Sequence, residues 1–194
     1  CIFHISDEPI VEDREHYLAA RKQVEPYLEG FQIVDALSHV ELFREGIVTR
    51  PIPSNDVADE FLREPVPERW TYYCCGQMVD VSNSFIAMPG ERTRTPGTPL
   101  SRMAITGFLQ WGFNFYFDEL SRAPINPFLT VDGDGSWPAG DPFNVYPGPD
   151  GQPLESLRSL LMRMALADQR ALELLERLTS REHVTALIDG LADG

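Results

Sequence analysis

Apolar residues fall in five short runs: Cys1–Ser6, Phe31–Ala36, Ile47–Ile52, Arg69–Cys75 and Gly107–Asn114. Each has the length of a strand, and the fourth is rich in Trp, Tyr and Thr, as strands prefer. Between them the spacing becomes helical. One amphipathic stretch runs from Glu12 to Glu29, where Gly30 closes it and Pro26 kinks or ends it. A short helix spans Val40–Glu45 and stops at Gly46; another runs from Asn55 or Asp56 to Arg63, with Ser54 or Asn55 as N-cap. Pro51 and Pro53 mark the exit of the third strand. A long loop, Gly76 to Thr98, leads to a helix near Pro99–Ile105, and a second loop spans about Asp118–Pro153. The chain closes with a long helix, Leu154–Leu178, and a short one, Arg181–Leu191.

Strands alternating with helices imply right-handed β/α units and a parallel sheet, hence the α/β class. Five such units fit two arrangements: an open doubly wound sheet, or the last five strands of an eight-stranded barrel. No glycine-rich phosphate loop follows the first strand, which counts against a dinucleotide fold. The long loops all follow strands, where barrels keep their active sites. The first residues already read as interior strand and no initiator Met precedes them, so residues 1–194 are expected to be part of a larger catalytic domain. The Gly-, Pro- and Asp-rich stretch from Thr130 to Gly151 holds Trp137, Phe143 and Tyr146, which points to an ordered lid.

Hydrophobic residues make up 43% of the chain and charged ones 24%, values of a globular protein. The net charge of −14 argues against nucleic acid and anionic membrane surfaces as partners. The most apolar stretch, Met103–Phe117, is too short and too interrupted to span a bilayer. Three Cys cannot form a complete disulfide set; Cys74 and Cys75, adjacent in a strand, read as small buried hydrophobes. With four scattered His and no CxxC or HExxH, no metal and no cofactor are implied. His4 reads as strand interior, and His16, His39 and His183 as surface groups on helices, so no Ser-His-Asp triad emerges. Compartment and oligomeric state are not set by these features.

The candidate chemistry centres on Asp7 and Glu8, at the tip of the first strand and stiffened by Pro9. Adjacent carboxylates repel, so one should keep its proton near neutral pH and serve as a general acid beside an ionised partner. A Ser-Asp turn capping the next helix is the alternative. Aromatics near strand ends are the second signal: Trp111 after the fifth strand, Tyr72 and Tyr73 at the end of the fourth, Trp137 on the long loop. Apolar sugar faces stack on such rings while groups such as Asn114 hold hydroxyls; core filling is the alternative. Arg92 and Arg94, on the loop after the fourth strand, can bind a carboxylate or pair with surface acids. Asn83 is a further candidate for substrate binding.

Four segments occur in a familiar order: Phe3-His4-Ile5-Ser6-Asp7-Glu8-Pro9, Trp70-Thr71-Tyr72-Tyr73-Cys74-Cys75-Gly76, Gly107-Phe108-Leu109-Gln110-Trp111-Gly112-Phe113-Asn114 and Val145-Tyr146-Pro147-Gly148. Ser156-Leu157-Arg158, Arg163 and Asp168 follow on the closing helix. Together these resemble the glycoside hydrolase family 123 catalytic domain, also known as domain of unknown function 4091. The resemblance implies a (β/α)8 TIM-type barrel of which this chain holds the fourth to eighth strands. It also implies exo-acting, retaining hydrolysis of a terminal β-linked 2-acetamido sugar, as in β-N-acetylgalactosaminidases. Glu8 would then be the acid/base, and Asp7 would orient the substrate's own acetamido nucleophile. The sugar would supply the nucleophile that the usual facing carboxylate provides. Other glycans, or a non-catalytic carbohydrate-binding barrel, are the competing readings. The chain departs from the family's habit at Ser84, Leu160, Ala165 and Gln169.

Overall fold

All five apolar runs contribute parallel strands, each shorter than its run. The computed structural model describes residues 1–192, which divide into two units.

The first unit comprises residues 1–73 and 105–109. Strand β1 (Ile2–Phe3) pairs in parallel with β2 (Gln32–Ile33), and β3 (Asp35–Ala36) with β4 (Pro51–Ile52). Strands β2 and β3 are one run that changes partner. The Val34 N–H bonds to Phe3 O on β1, whereas the Asp35 N–H bonds to Arg50 O beside β4. Next, β5 (Trp70–Tyr72) pairs in parallel with β6 (Gly107–Leu109). A parallel bridge between Ser54 and Tyr72 joins the end of β4 to β5. The strands therefore follow chain order, as successive β/α units require.

Helix α1 (Arg14–Val24) is preceded and followed by 3₁₀ turns, and Pro26 sits in the second. The missing N–H of proline ends the α-helix there, as expected. Helix α2 (Val40–Arg44) closes at Gly46, whose φ of +74° is the left-handed cap glycine tolerates. Tyr17 of α1 packs with Leu37, Val40, Leu42, Ile47, Val48 and Phe61 to form the core. Ile47 and Val48, expected in the third strand, donate their N–H groups to Leu42 O and so extend the helix end. Helix α3 (Ala58–Phe61) is shorter than expected and has no side-chain cap. Ser54 is instead tied to the sheet, and its hydroxyl lies 3.1 Å from that of Ser38.

The second unit comprises residues 74–104 and 110–194. Its first loop contains helix α4 (Gly90–Arg94) before α5 (Gly97–Arg102). Helices α6 (Leu157–Leu178) and α7 (Arg181–Ala192) close the chain. Gly97 lets α5 approach α6: a Cβ there would lie 2.2 Å from the Ala165 carbonyl oxygen. The long loop holds an antiparallel hairpin, β7 (Val145–Pro147) and β8 (Pro153–Glu155), so the closing helix starts three residues later than Leu154. Ser156 is its N-cap, accepting the Ser159 N–H at 3.1 Å. Among the described residues, no helix is long and apolar enough to cross a membrane.

Candidate active site

The turn after β1 carries Ser6-Asp7-Glu8-Pro9, and a single buried side chain holds its start. Asp35, 1% exposed, accepts the Ile5 N–H at 2.7 Å and the Ser6 N–H at 3.0 Å on Oδ1. Its Oδ2 accepts the Tyr17 hydroxyl at 2.6 Å. A buried carboxylate needs such compensation for its lost hydration. Burial and the bond to Asp35 hold the Tyr17 phenol far above its ordinary pKa, so it stays a donor. His4, expected inside, is exposed, with Nδ1 4.0 Å from Asp35 Oδ1. A strand of only two residues ends before His4 and leaves its side chain in solvent.

Glu8 has a φ of +45°, a conformation that costs an L-residue energy and is found at sites with a purpose. Pro9 beside it is buried. The Tyr72 hydroxyl donates to Glu8 Oε1. Burial first, then the charge of Asp7, then that of Asp56, push the Glu8 carboxyl above the usual range. A carboxyl that keeps its proton to higher pH, beside a second acid, is equipped to donate a proton.

Of the two candidate tyrosines, Tyr72 meets Glu8, and Tyr73, a candidate for substrate binding, faces the interior. Tyr73 is wholly enclosed and meets Phe108 edge-on, with ring centroids 4.8 Å apart. Neighbouring strand residues face opposite sides, so Tyr72 is the one that reaches Glu8. No surface of Tyr73 is left for a sugar.

In the second unit, Trp111, Phe115 and Trp137 form a mutual aromatic cluster. Trp111 lies 5.3 Å from Trp137 and 5.9 Å from Phe115, and Phe115 stands 5.5 Å from Trp137 at 88°. Trp111 and Trp137 are both half-buried, leaving part of each ring accessible. Trp137 also covers Gly133, where a Cβ would lie 2.1 Å from the ring. Asn114 is exposed and bridges to Phe143. Asp141 is 1% exposed, and burial pushes its carboxyl up to about 6, opposed by the Trp111 indole N–H.

Asn83 and Arg92 serve the backbone. Fully buried, Asn83 donates to the carbonyls of Cys74 and Gln77, each at 2.8 Å, and accepts the Ser84 N–H at 2.7 Å. Arg92 donates to the carbonyls of Val81 and Met78. Both stitch the loop after Tyr73, and Asn83 has no N–H left for a ligand. Arg94 pairs with Asp168 at 2.9 Å, the surface alternative. Cys74 and Cys75 are half-buried rather than the buried hydrophobes expected, and Cys1 is exposed. Strand β5 ends at Tyr72, before either of the adjacent cysteines. No group of three or more metal-ligating side chains occurs among the described residues.

Asp35, Asp56 and Asp141 were not singled out by sequence reasoning. A lone acid inside the apolar run Phe31–Ala36 is a legible signal, since unpaired acids are rarely buried. Asp56 and Asp141 lie in acid-rich turns and give no such sign.

No curated protein matches the chain. A solved family 123 glycoside hydrolase from Clostridium perfringens, whose structure details glycolipid glycan hydrolysis, shares the fold with a TM-score of 0.68 at 16% identity. The match covers 96% of this chain and 33% of that one, so the chain spans about a third of that protein's length. The family profile for the glycoside hydrolase 123 catalytic domain matches residues 1–175, and the chain thus belongs to that family.

Proposed function

We propose that this chain is part of a glycosidase that hydrolyses a terminal β-linked 2-acetamido sugar with retention, using the substrate's acetamido group as nucleophile. One observation carries the reading: Glu8 sits in a left-handed turn beside Asp7, receives the Tyr72 hydroxyl, and has a raised carboxyl pKa. In the proposed reaction Glu8 protonates the leaving oxygen. Asp7 orients the acetamido group, whose oxygen attacks the anomeric carbon as the glycosidic C–O bond breaks. The oxazolinium intermediate then reacts with water, which Glu8 deprotonates. Within the second unit, the half-buried Trp111 and Trp137 are rings of the kind on which an apolar sugar face stacks, and Asn114 is exposed. The consecutive parallel strands β1 to β6 are read as an arc of a TIM-type barrel, with the acids after a strand as that fold places them.

The test is kinetic, in the full-length protein, with 2-acetamido-2-deoxy-β-D-galactosides. Glu8→Gln is expected to lower turnover of a phenyl glycoside by about 10²–10⁴-fold, the range of general acid catalysis. A 2,4-dinitrophenyl glycoside, needing little protonation, loses less. Asp7→Asn is expected to impair both alike. Equal leaving-group dependence in the two variants, or near-normal turnover in either, refutes the division of roles. An oxazoline-type inhibitor that fails to bind would remove the acetamido mechanism.

A further inference from the structure

We propose that Asp35 is a positioning residue that holds the Asp7-Glu8 turn in its productive place, a role that rests on the proposed acid function of Glu8. Asp35 lies on the adjacent strand, where the run changes partner from β1 to β4. From there one oxygen gathers the two successive amides, Ile5 and Ser6, that immediately precede the acids. The other oxygen is held by Tyr17 of α1. Helix, strand and catalytic turn thus meet at one carboxylate. Charge-assisted hydrogen bonds are stronger and more directional than neutral ones, which suits a clamp.

The turn needs one. Glu8 occupies a left-handed conformation that does not persist unless its surroundings impose it. Three anchors surround it: the Asp35 clamp upstream, buried Pro9 downstream and Tyr72 on the carboxyl itself. Tyr72 bonds the side chain, so it can follow a displaced carboxyl. Asp35 bonds the backbone and so determines where that carboxyl starts. Asp35 reaches neither carboxyl directly and is absent from the charges that raise the Glu8 pKa. Its effect is therefore on placement. A displacement of about 1 Å at a proton donor costs roughly 10²-fold in rate.

The test uses Asp35→Ala, Asp35→Asn and Glu8→Gln in the full-length protein, with the phenyl and dinitrophenyl substrates. Asp35→Ala is expected to lower kcat on the phenyl glycoside by roughly 10²-fold, with KM little changed and a smaller loss on the dinitrophenyl glycoside. Asp35→Asn keeps an oxygen for the two amides, and its NH₂ can donate to the Tyr17 hydroxyl, so it folds even if Asp35→Ala does not. Its neutral acceptor is weaker, so exchange of the Ile5 and Ser6 amides should quicken while the Leu42 amide stays protected. Its kcat loss should be smaller, about tenfold or less, and again larger on the phenyl substrate. An equal loss on both substrates, or unchanged exchange at Ile5 and Ser6, overturns the proposal. If Glu8→Gln itself shows no leaving-group dependence, the acid role fails instead. If Glu8→Gln shows it and neither Asp35 variant does, only the positioning role fails.

Discussion

Asp141→Asn should gain stability relative to the wild type progressively as pH rises from 4 to 7. The side chain is 1% exposed, and neither carboxylate oxygen has a hydrogen bond of normal geometry. Burial raises its pKa from 3.8 to about 6, with the Trp111 indole N–H pulling in the opposite direction. At about 1.4 kcal/mol per pKa unit, this corresponds to about 3 kcal/mol of disfavoured ionisation in the folded state. The folded pKa lies above the unfolded one, so the folded state holds the proton more tightly. Wild-type stability from this group is thus fully present below pH 3.8, declines between about 4 and 6, and is lost above that. Asparagine has no proton to lose. Its NH₂ brings two buried donors, a cost of about 1–3 kcal/mol that does not vary with pH. The quantity to measure is therefore the change in the stability difference, by urea unfolding at several pH values. A rise of about 2 kcal/mol in favour of Asp141→Asn between pH 4 and 7 is expected, the rest of the span lying below pH 4. A difference that stays flat would refute the reasoning, because it would mean that Asp141 ionises as freely in the fold as in water.

The same sign applies to Glu8, whose carboxyl is also raised. Thermal scans should show Glu8→Gln gaining Tm relative to the wild type as pH climbs through the Glu8 pKa, and no relative gain below the ordinary carboxylate range. Gly97→Ala should lower stability by about 1–3 kcal/mol or more in urea unfolding, since the new methyl meets a helix carbonyl that cannot yield. Gly76→Ala is its control: nothing lies within 4 Å of a Cβ there and its φ is not positive. It should be neutral or stabilising by up to about 1 kcal/mol.

The pattern of apolar runs was enough to locate every parallel strand and the α/β class. Strand composition and helical periodicity are local properties, and here they agree with the fold. The glycine at 46 and the proline at 26 ended their helices because backbone dihedrals and a missing N–H act within one turn. The acids at the tip of the first strand were legible for the same reason, being neighbours in sequence. Other features depended on which groups found one another as the chain folded. Ile47 and Val48 satisfied their amides on a helix end, so the third strand shrank. A hairpin formed inside what read as loop, with the Gly148 N–H bonding to Gln152 O at its turn. Asn83 and Arg92 read as ligand donors in the sequence, but loop carbonyls take both N–H groups of Asn83 and one from each terminal nitrogen of Arg92. Which of two adjacent tyrosines faces Glu8 was decided by the register of β5 against its neighbours, since a shift of one residue would exchange them. Chain order alone determined that Asp7 and Glu8 stand together; that Asp35, 29 residues beyond Ser6, holds the amides in front of them and that Tyr72, 64 beyond Glu8, bonds to Glu8 was decided by strand pairing, which costs chain entropy and is not written in local spacing.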